Sequence, residues 1–360
     1  MSAYDVAIIG AGIAGASLAA ELAPHVRVLI LEGEDRPGYH STGRSAAFWS
    51  ETYGGPDIQP LTTASGQPLR AGGFLEPLGS LHIGRRDEAA AIDALLTEFE
   101  ASGVALRAVD PHMMIPGLRP EWTLGVHEPS CEYIDVAGLH AAFLATAKRA
   151  GADLRLSTGL EAAERAAGIW KLATHAGSFE ADILVDAAGA WADSVAAMAG
   201  VRPLGIQPYR RTMAQLRTDP APPADCPLVA HIGGTFYFKP EAGGRLWLSP
   251  HDEIATDPCD AAPEEIDVAI AIDRFEHVVD WQVAALEHKW AGLRSFAPDR
   301  RPVYGFDSQV PGFFWCAGQG GFGIQTAPAA ARLAAALLLG HAPDASVAHI
   351  DAARYSPTRF

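Results

Sequence analysis

YDVAIIGAGIAGASLAAELAPHVRVLILE, residues 4–32, reads as strand, glycine turn, helix and second strand. Tyr4 to Ile9 is a continuous apolar, β-branched run of the kind a buried parallel strand requires. Gly10, Gly12 and Gly15 follow at GxGxxG spacing. The first permits a tight turn, the second lets backbone approach a pyrophosphate, and the third allows close helix–strand packing. Ile13 and Ala14 belong to that motif, and ASLAAELA after Gly15 has helical propensity; the helix's N-terminal N–H groups and dipole favour a phosphate. Glu32, 22 residues after Gly10, stands where a carboxylate accepts the hydroxyls of an adenosine ribose. The stretch predicts a dinucleotide site without choosing between NAD and FAD.

Two further stretches bear on that choice. In PGYHSTGRSAAFWSETYGG, residues 37–55, Ser41, Thr42, Arg44, Ser45, Ala46 and Ala47 suit a loop lying along a flavin, although an ordinary polar loop has the same composition. GFFWCAGQGGFGIQTAP, residues 312–328, reads as an apolar strand, then a second glycine cluster, then a helix beginning near Thr326. Pro328 falls in that helix's first turn, where a missing N–H is tolerated. A helix N-terminus aimed at a flavin stabilises the negative charge of its reduced form. Between the clusters, ADILVDAAGAWADSVAAMAG, residues 181–200, is a further buried strand turning into a helix.

Composition narrows the rest. At roughly 150 residues per domain, 360 residues suggest two domains. With 49% hydrophobic and 19% charged residues, general disorder is excluded, and the 36 glycines show no collagen-like period. A net charge of −16 argues against nucleic acid and anionic membranes as partners. The uncharged run after Asp5 is too short and glycine-broken for a transmembrane segment, and no basic stretch precedes it as in a signal peptide. Cys131, Cys226, Cys259 and Cys316 are widely spaced, with no CxxC and no His/Cys cluster, so neither a metal site nor a disulfide framework is expected. The chain reads as a cytoplasmic protein.

The motifs together resemble the D-amino-acid oxidase superfamily of FAD-dependent oxidoreductases, most closely the bacterial D-arginine dehydrogenase type. The Gly10–Gly15 fingerprint, HSTGRSAA, LVDAAGAWAD, WAGLRSFAPDRRPVYG and GQGGFGIQTAP carry the likeness. It implies an α/β (α+β) chain with a glutathione-reductase-like, FAD-binding Rossmann domain and a second, antiparallel-sheet substrate domain. Both are discontinuous: 1–75, 137–205 and 300–360 for FAD, 76–136 and 206–299 for substrate. The FAD is expected to be non-covalent, since no cysteine lies in WAGLRSFAPDRRPVYG, where the sarcosine-oxidase branch carries its linkage. Leu160, Ala188, Gly189, Trp191, Gly320, Gly321, Gly323, Ile324 and Gln325 join the expected cofactor contacts by the same resemblance.

For the substrate, strand alternation in GTFYFKP sets Phe236 and Phe238 on one face and Tyr237 on the other. Arg211, Met213 and Gln215 likewise share a face. Taken alone, Arg211 serves equally well in an interdomain ion pair, Tyr237 as a core tyrosine and Tyr53 as a surface tyrosine on a turn. The resemblance assigns Arg294, Tyr237 and Arg211 to a carboxylate clamp, Tyr53 to a lid, and the Gly321 carbonyl to the substrate amine. It places Phe48, Ser50, Ser80, Leu228 and Ala230 around the side chain, with Ser80 at the position that carries an acid in the arginine-specific type, or else His82 or Glu76 in that role. An uncharged lining predicts that neutral or apolar D-amino acids are preferred to D-arginine. The implied reaction is oxidative deamination to a 2-oxo acid and ammonia, hydride passing from Cα to flavin N5, with oxygen or a quinone-type carrier as acceptor. A flavin-dependent 2-hydroxyacid or glycerol-phosphate dehydrogenase, a glycine/sarcosine-type secondary amine oxidase, and an FAD-bearing subunit of an electron-transfer complex stand as alternatives.

Overall fold

The computed structural model describes residues 4–360. The opening stretch forms β1 (Tyr4–Ile9), α1 (Ile13–Leu22) and β2 (Val28–Leu31). β1 and β2 pair in parallel, and the strand Gly177–Asp186 runs parallel to β1 on its other side. Next comes Phe313–Ala317, again parallel, so the two glycine clusters follow strands of one sheet with a single strand between them, although some 300 residues separate them in sequence. Val303–Phe306 closes one edge antiparallel. The strand β1 is apolar throughout because both its faces are covered. Val6 and Ile8 pack with α1 and the helix Ala327–Leu339, while Ala7 and Ile9 enter a second core with Trp170, Leu184 and Trp315.

A ten-stranded sheet carries the second layer. Its spine is the antiparallel pair Gln207–Asp219 and Gln282–Phe296, followed by Arg245–Ser249, Tyr237–Glu241, Leu228–His231, Ser80–Gly84 and Leu124–Glu128. It departs from the expected antiparallel pattern at one place, where Leu228–His231 lies parallel to Ser80–Gly84. These strands are more than 140 residues apart in sequence, so no hairpin constrains their direction. One face is a continuous core of Leu81, Val229, Phe236, Phe238, Leu248 and Phe275. The opposite face presents Met213 and Tyr237 to the loop carrying Ala46 and Phe48. The short strand Gln319–Gly320 pairs with Ser295–Phe296, so the second glycine cluster also borders this sheet. A three-stranded sheet of Phe48–Trp49, Glu132–Ile134 and Leu75–Pro77 lies alongside.

One core residue is out of keeping with its surroundings. The Asp186 carboxyl is fully buried; Oδ1 accepts from the Ala188 N–H at 3.1 Å and Oδ2 has no hydrogen-bond partner. Burial holds its pKa well above the ordinary 3.8, so the folded state retains the proton. That contribution to stability is complete below the ordinary carboxylate pKa and is lost as pH rises through the raised one. Asp186→Asn, which cannot ionise, should therefore melt higher than the parent at pH 8, by roughly 1–3 kcal/mol. The gap should narrow to a fixed offset toward pH 4. A gap independent of pH in calorimetric scans would count against this account.

Candidate active site

A cavity of about 410 Å³ lies between the glycine turn, the 38–45 loop and the end of the second sheet. Its walls include Gly10, Gly12, Ile13 and Ala14 from the fingerprint, then Glu32, then Ser41, Thr42, Arg44 and Ser45. Leu160, Ala188, Gly189 and Trp191 line another side, with Gly320, Gly321, Gly323 and Ile324 from the second cluster. The Glu32 carboxylate is fixed by the N–H groups of Ala11 (2.8 Å) and Glu34 (3.0 Å). Gly12 caps α1 without a side-chain hydrogen bond, and Thr42 Oγ1 accepts from the Ile13 N–H at 3.0 Å. An acid at one end, a helix start whose N-cap is a glycine and a side-chain-free wall at Gly189 fit a dinucleotide with an adenosine ribose at Glu32.

Several expected contacts are placed differently. Gly15 stands behind the wall, where a Cβ would meet the Gly10 carbonyl oxygen at 1.9 Å, which is why the helix packs so close to the strand. Ala46 and Ala47 lie outside the walls, Ala46 buried against Met213 and Tyr237. Gln325 also lies outside them: its amide donates to Tyr53 C=O (3.1 Å) and Thr62 Oγ1 (2.9 Å) and accepts from Ser50 N–H (3.3 Å). The Arg44 guanidinium turns toward the second sheet, bonding Ala261 C=O (2.7 Å), Ala291 C=O (3.2 Å) and Asp260.

At the cavity's inner end the second sheet delivers its cations. Arg211, Arg294 and Gly321 line the cavity. Arg294 Nη1 donates to the Tyr53 hydroxyl at 2.5 Å and Nη2 to the Tyr237 hydroxyl at 3.5 Å. Tyr237 in turn donates to Met213 Sδ at 3.1 Å. A Cβ on Gly321 would fall 2.1 Å from the Tyr53 hydroxyl and 2.9 Å from Arg294 Nη1, so only glycine lets backbone reach this point. Arg211 is buried, with Nε on Asp252 C=O (2.5 Å), Nη2 on Glu253 (3.2 Å) and Nη1 without a partner. Burial, and then the nearby Arg294 charge, lower its pKa. Two guanidiniums, a tyrosine hydroxyl and a bare backbone thus converge at this end, a donor set of the kind that suits a carboxylate.

The residues expected around the side chain do not line that cavity. Phe48 packs edge-on against both Tyr53 (5.2 Å between centroids) and Tyr237 (6.0 Å), and Ala230 joins the same cluster. Leu228 is buried opposite Ser80 in the parallel pair. Ser50 and Ser80 both point their hydroxyls at Glu128, which the sequence reading missed. Glu128 is wholly buried and sits directly across from Ser80. The available signal was an acid alternating with Leu124 and Val126 on one strand face. Glu76 is exposed, while His82 is half-buried, touches Thr52 Oγ1 at 3.3 Å, and is pushed down to about 4 by desolvation.

Fold and site define a flavin-dependent oxidoreductase, and the chain belongs to the DAO family of FAD-dependent oxidoreductases, whose model matches residues 5–337. It is 28% identical over 361 residues to the glycine oxidase of Geobacillus kaustophilus, covering 93% of each chain. The crystal structure of that enzyme superposes with a TM-score of 0.84 over 100% of both chains at 26% identity. The bifunctional protein ThiO/ThiG of Synechocystis is 28% identical across 99% of this chain. This chain spans 54% of that protein and 36% of another curated relative. L-proline dehydrogenase from P. horikoshii has the same fold, with a TM-score of 0.86 at 22% identity over 99% of this chain and 97% of its own. Among the described residues no helix is long and apolar enough to cross a membrane.

Proposed function

We propose that this chain oxidises small, neutral amino acids, of the glycine or N-substituted glycine type or with a short D-configured side chain. The observation that carries the reading is the edge-on packing of Phe48 against both Tyr53 and Tyr237, the two tyrosines whose hydroxyls Arg294 contacts. With that aromatic cluster filling the space beside the clamp, a substrate carboxylate held by Arg294 has room for a short side chain and not for a long one. Its oxygens receive Arg294 and the Tyr53 hydroxyl, whose proton no acceptor among the described residues takes, and Arg211 Nη1 supplies a further donor. The Gly321 carbonyl receives the amine. Both guanidiniums favour the neutral amine by opposing its positive charge. Bound FAD supplies the two-electron acceptor for oxidising the Cα–N bond to an imine, which water hydrolyses.

No side-chain base takes part in this scheme. Burial, and next the Arg211 charge, push His251 down to about 3, and its Nδ1 is held by Gly234 C=O at 2.7 Å. So weak a base is ill matched to removing a hydroxyl proton near pH 7, which favours an amine substrate over a 2-hydroxy acid. The FAD is bound non-covalently in this reading, since none of Cys131, Cys226, Cys259 and Cys316 lines the cavity. Acid precipitation should release it.

Anaerobic mixing tests the reading by the bleaching of the flavin's visible band. Glycine, sarcosine and D-alanine should reduce the flavin faster than D-phenylalanine, D-arginine, L-amino acids or D-lactate. Phe48→Ala should shift preference toward bulkier neutral D-amino acids by about tenfold or more. Fastest reduction by D-lactate, or by D-arginine in the parent enzyme, would overturn the proposal.

A further inference from the structure

We propose that Glu128 is a positioning residue for Tyr53: its buried carboxylate gathers the turn Ser50-Glu51-Thr52 and thereby sets where the Tyr53 hydroxyl stands against Arg294 and a bound substrate carboxylate. The proposal rests on the clamp reading above. Glu128 has no exposed surface and takes part in no ion pair among the described residues. A buried carboxylate without a counter-charge is expensive unless donors surround it. Five do. The Ser50 hydroxyl donates at 2.9 Å, the Glu51 N–H at 2.7 Å and the Thr52 hydroxyl at 2.6 Å, with Ser80 and Ser130 hydroxyls farther off at 3.4 Å.

The three close donors come from three consecutive residues, and the next residue is Tyr53. Burial raises the Glu128 pKa, and the Thr52, Glu51 and Ser50 donors oppose that rise by favouring the carboxylate. Ionised, it is acceptor-only, and its two oxygens can take an N–H and several hydroxyls at once, which an amide cannot. On the other side of the turn Gln325 holds Ser50 N–H and Tyr53 C=O. The chain is thus pinned from two sides up to Tyr53 and then turns at Gly54 and Gly55, whose φ values are +101° and +76°. Because Thr52 gives its proton to Glu128, it accepts from His82 Nε2, which ties the same turn back to the strand Ser80–Gly84. With its lone pairs engaged by these donors, Glu128 is set up to hold the turn and not to pair with a substrate cation.

Acetate is the probe, titrated into FAD-loaded enzyme and followed by perturbation of the flavin's visible spectrum. Glu128→Gln should weaken acetate binding roughly tenfold, as expected for a lost charge-assisted hydrogen bond. It should raise KM for the best substrate by a similar factor with little change in kcat. In a Tyr53→Phe background the same change should have less than about a twofold effect, because its target is gone. Should Glu128→Gln not fold, Thr52→Val should reproduce the weakening in smaller degree and Thr52→Ser should restore it. Undiminished acetate affinity in Glu128→Gln, or an equal loss with and without the Tyr53 hydroxyl, overturns the proposal. Failure of the parent enzyme to bind acetate would overturn the clamp reading itself, and this proposal with it.

Discussion

Arg294→Met is expected to lower kcat/KM by roughly 30-fold to several-thousand-fold while the purified protein stays yellow. The range follows from truncating one member of a desolvated, hydrogen-bonded charge pair, which costs about 2–5 kcal/mol. Arg294 touches both tyrosine hydroxyls, so its loss removes the charge and also the fork that aligns Tyr53 with Tyr237. Arg211 cannot replace it, since Asp252 C=O and Glu253 already engage two of its three nitrogens. Flavin retention is expected because the groups fitted to the adenosine and pyrophosphate, Glu32 and the glycine turn, lie at the other end of the cavity. Arg294→Lys should fall between the two enzymes: an ammonium keeps the charge and loses the planar two-point geometry. The measurement is flavin absorbance per protein alongside anaerobic reduction rates across substrate concentration. A variant with parental KM and reduction rate would remove Arg294 from the clamp.

The strands around the cofactor were legible in the sequence because their environment writes itself into composition. β1 and Phe313–Ala317 are covered on both faces and are therefore unbroken apolar runs, and the glycines between strand and helix fall at the spacing a phosphate turn demands. The helix after Thr326 was legible for the same reason, with Pro328 in its first turn. Tyr237 and Phe236 separated correctly onto opposite faces because alternation is local. What alternation cannot give is register between distant strands. Glu128 meets Ser80 only because the strand Leu124–Glu128 slides to that pairing, and Ser50 and Thr52 reach it from the turn that follows Phe48–Trp49. The uncharged pocket inferred from Ser80 accordingly overlooked a carboxylate beside it. Gln325 was misplaced for a related reason: it follows the glycine cluster in sequence, yet its side chain turns away from the cavity toward Tyr53 and Thr62. The convergence of Arg294, Tyr53 and Tyr237 was assigned by resemblance, and their own residue patterns left core and surface roles open.

Gly15→Ala and Gly12→Ala should separate the two tasks of the glycine fingerprint. At Gly15 an added Cβ would lie 1.9 Å from the Gly10 carbonyl oxygen and 3.2 Å from an Ile8 methyl. Neither the backbone oxygen nor the strand beneath it can swing aside as a flexible side chain would. Helix α1 must lift from β1, at about 1–3 kcal/mol or more for overpacking a filled interior. Because the same junction aims the helix N-terminus into the cavity, Gly15→Ala should lower the melting temperature of the flavin-free protein and abolish stable FAD binding together. At Gly12 the nearest atom to a Cβ is Thr42 Oγ1 at 3.3 Å, and Gly12 faces the cavity. That methyl group asks a shift of a few tenths of an ångström from Thr42 and chiefly opposes the pyrophosphate, so Gly12→Ala should weaken FAD binding by an order of magnitude or more, about 1.4 kcal/mol per tenfold, with a much smaller loss of flavin-free melting temperature than Gly15→Ala. Flavin titration and calorimetry on both apoproteins measure the two quantities independently. Parental stability in Gly15→Ala would mean that close packing against Gly10 does not hold the helix in place, and the division of labour between the two glycines would have to be abandoned.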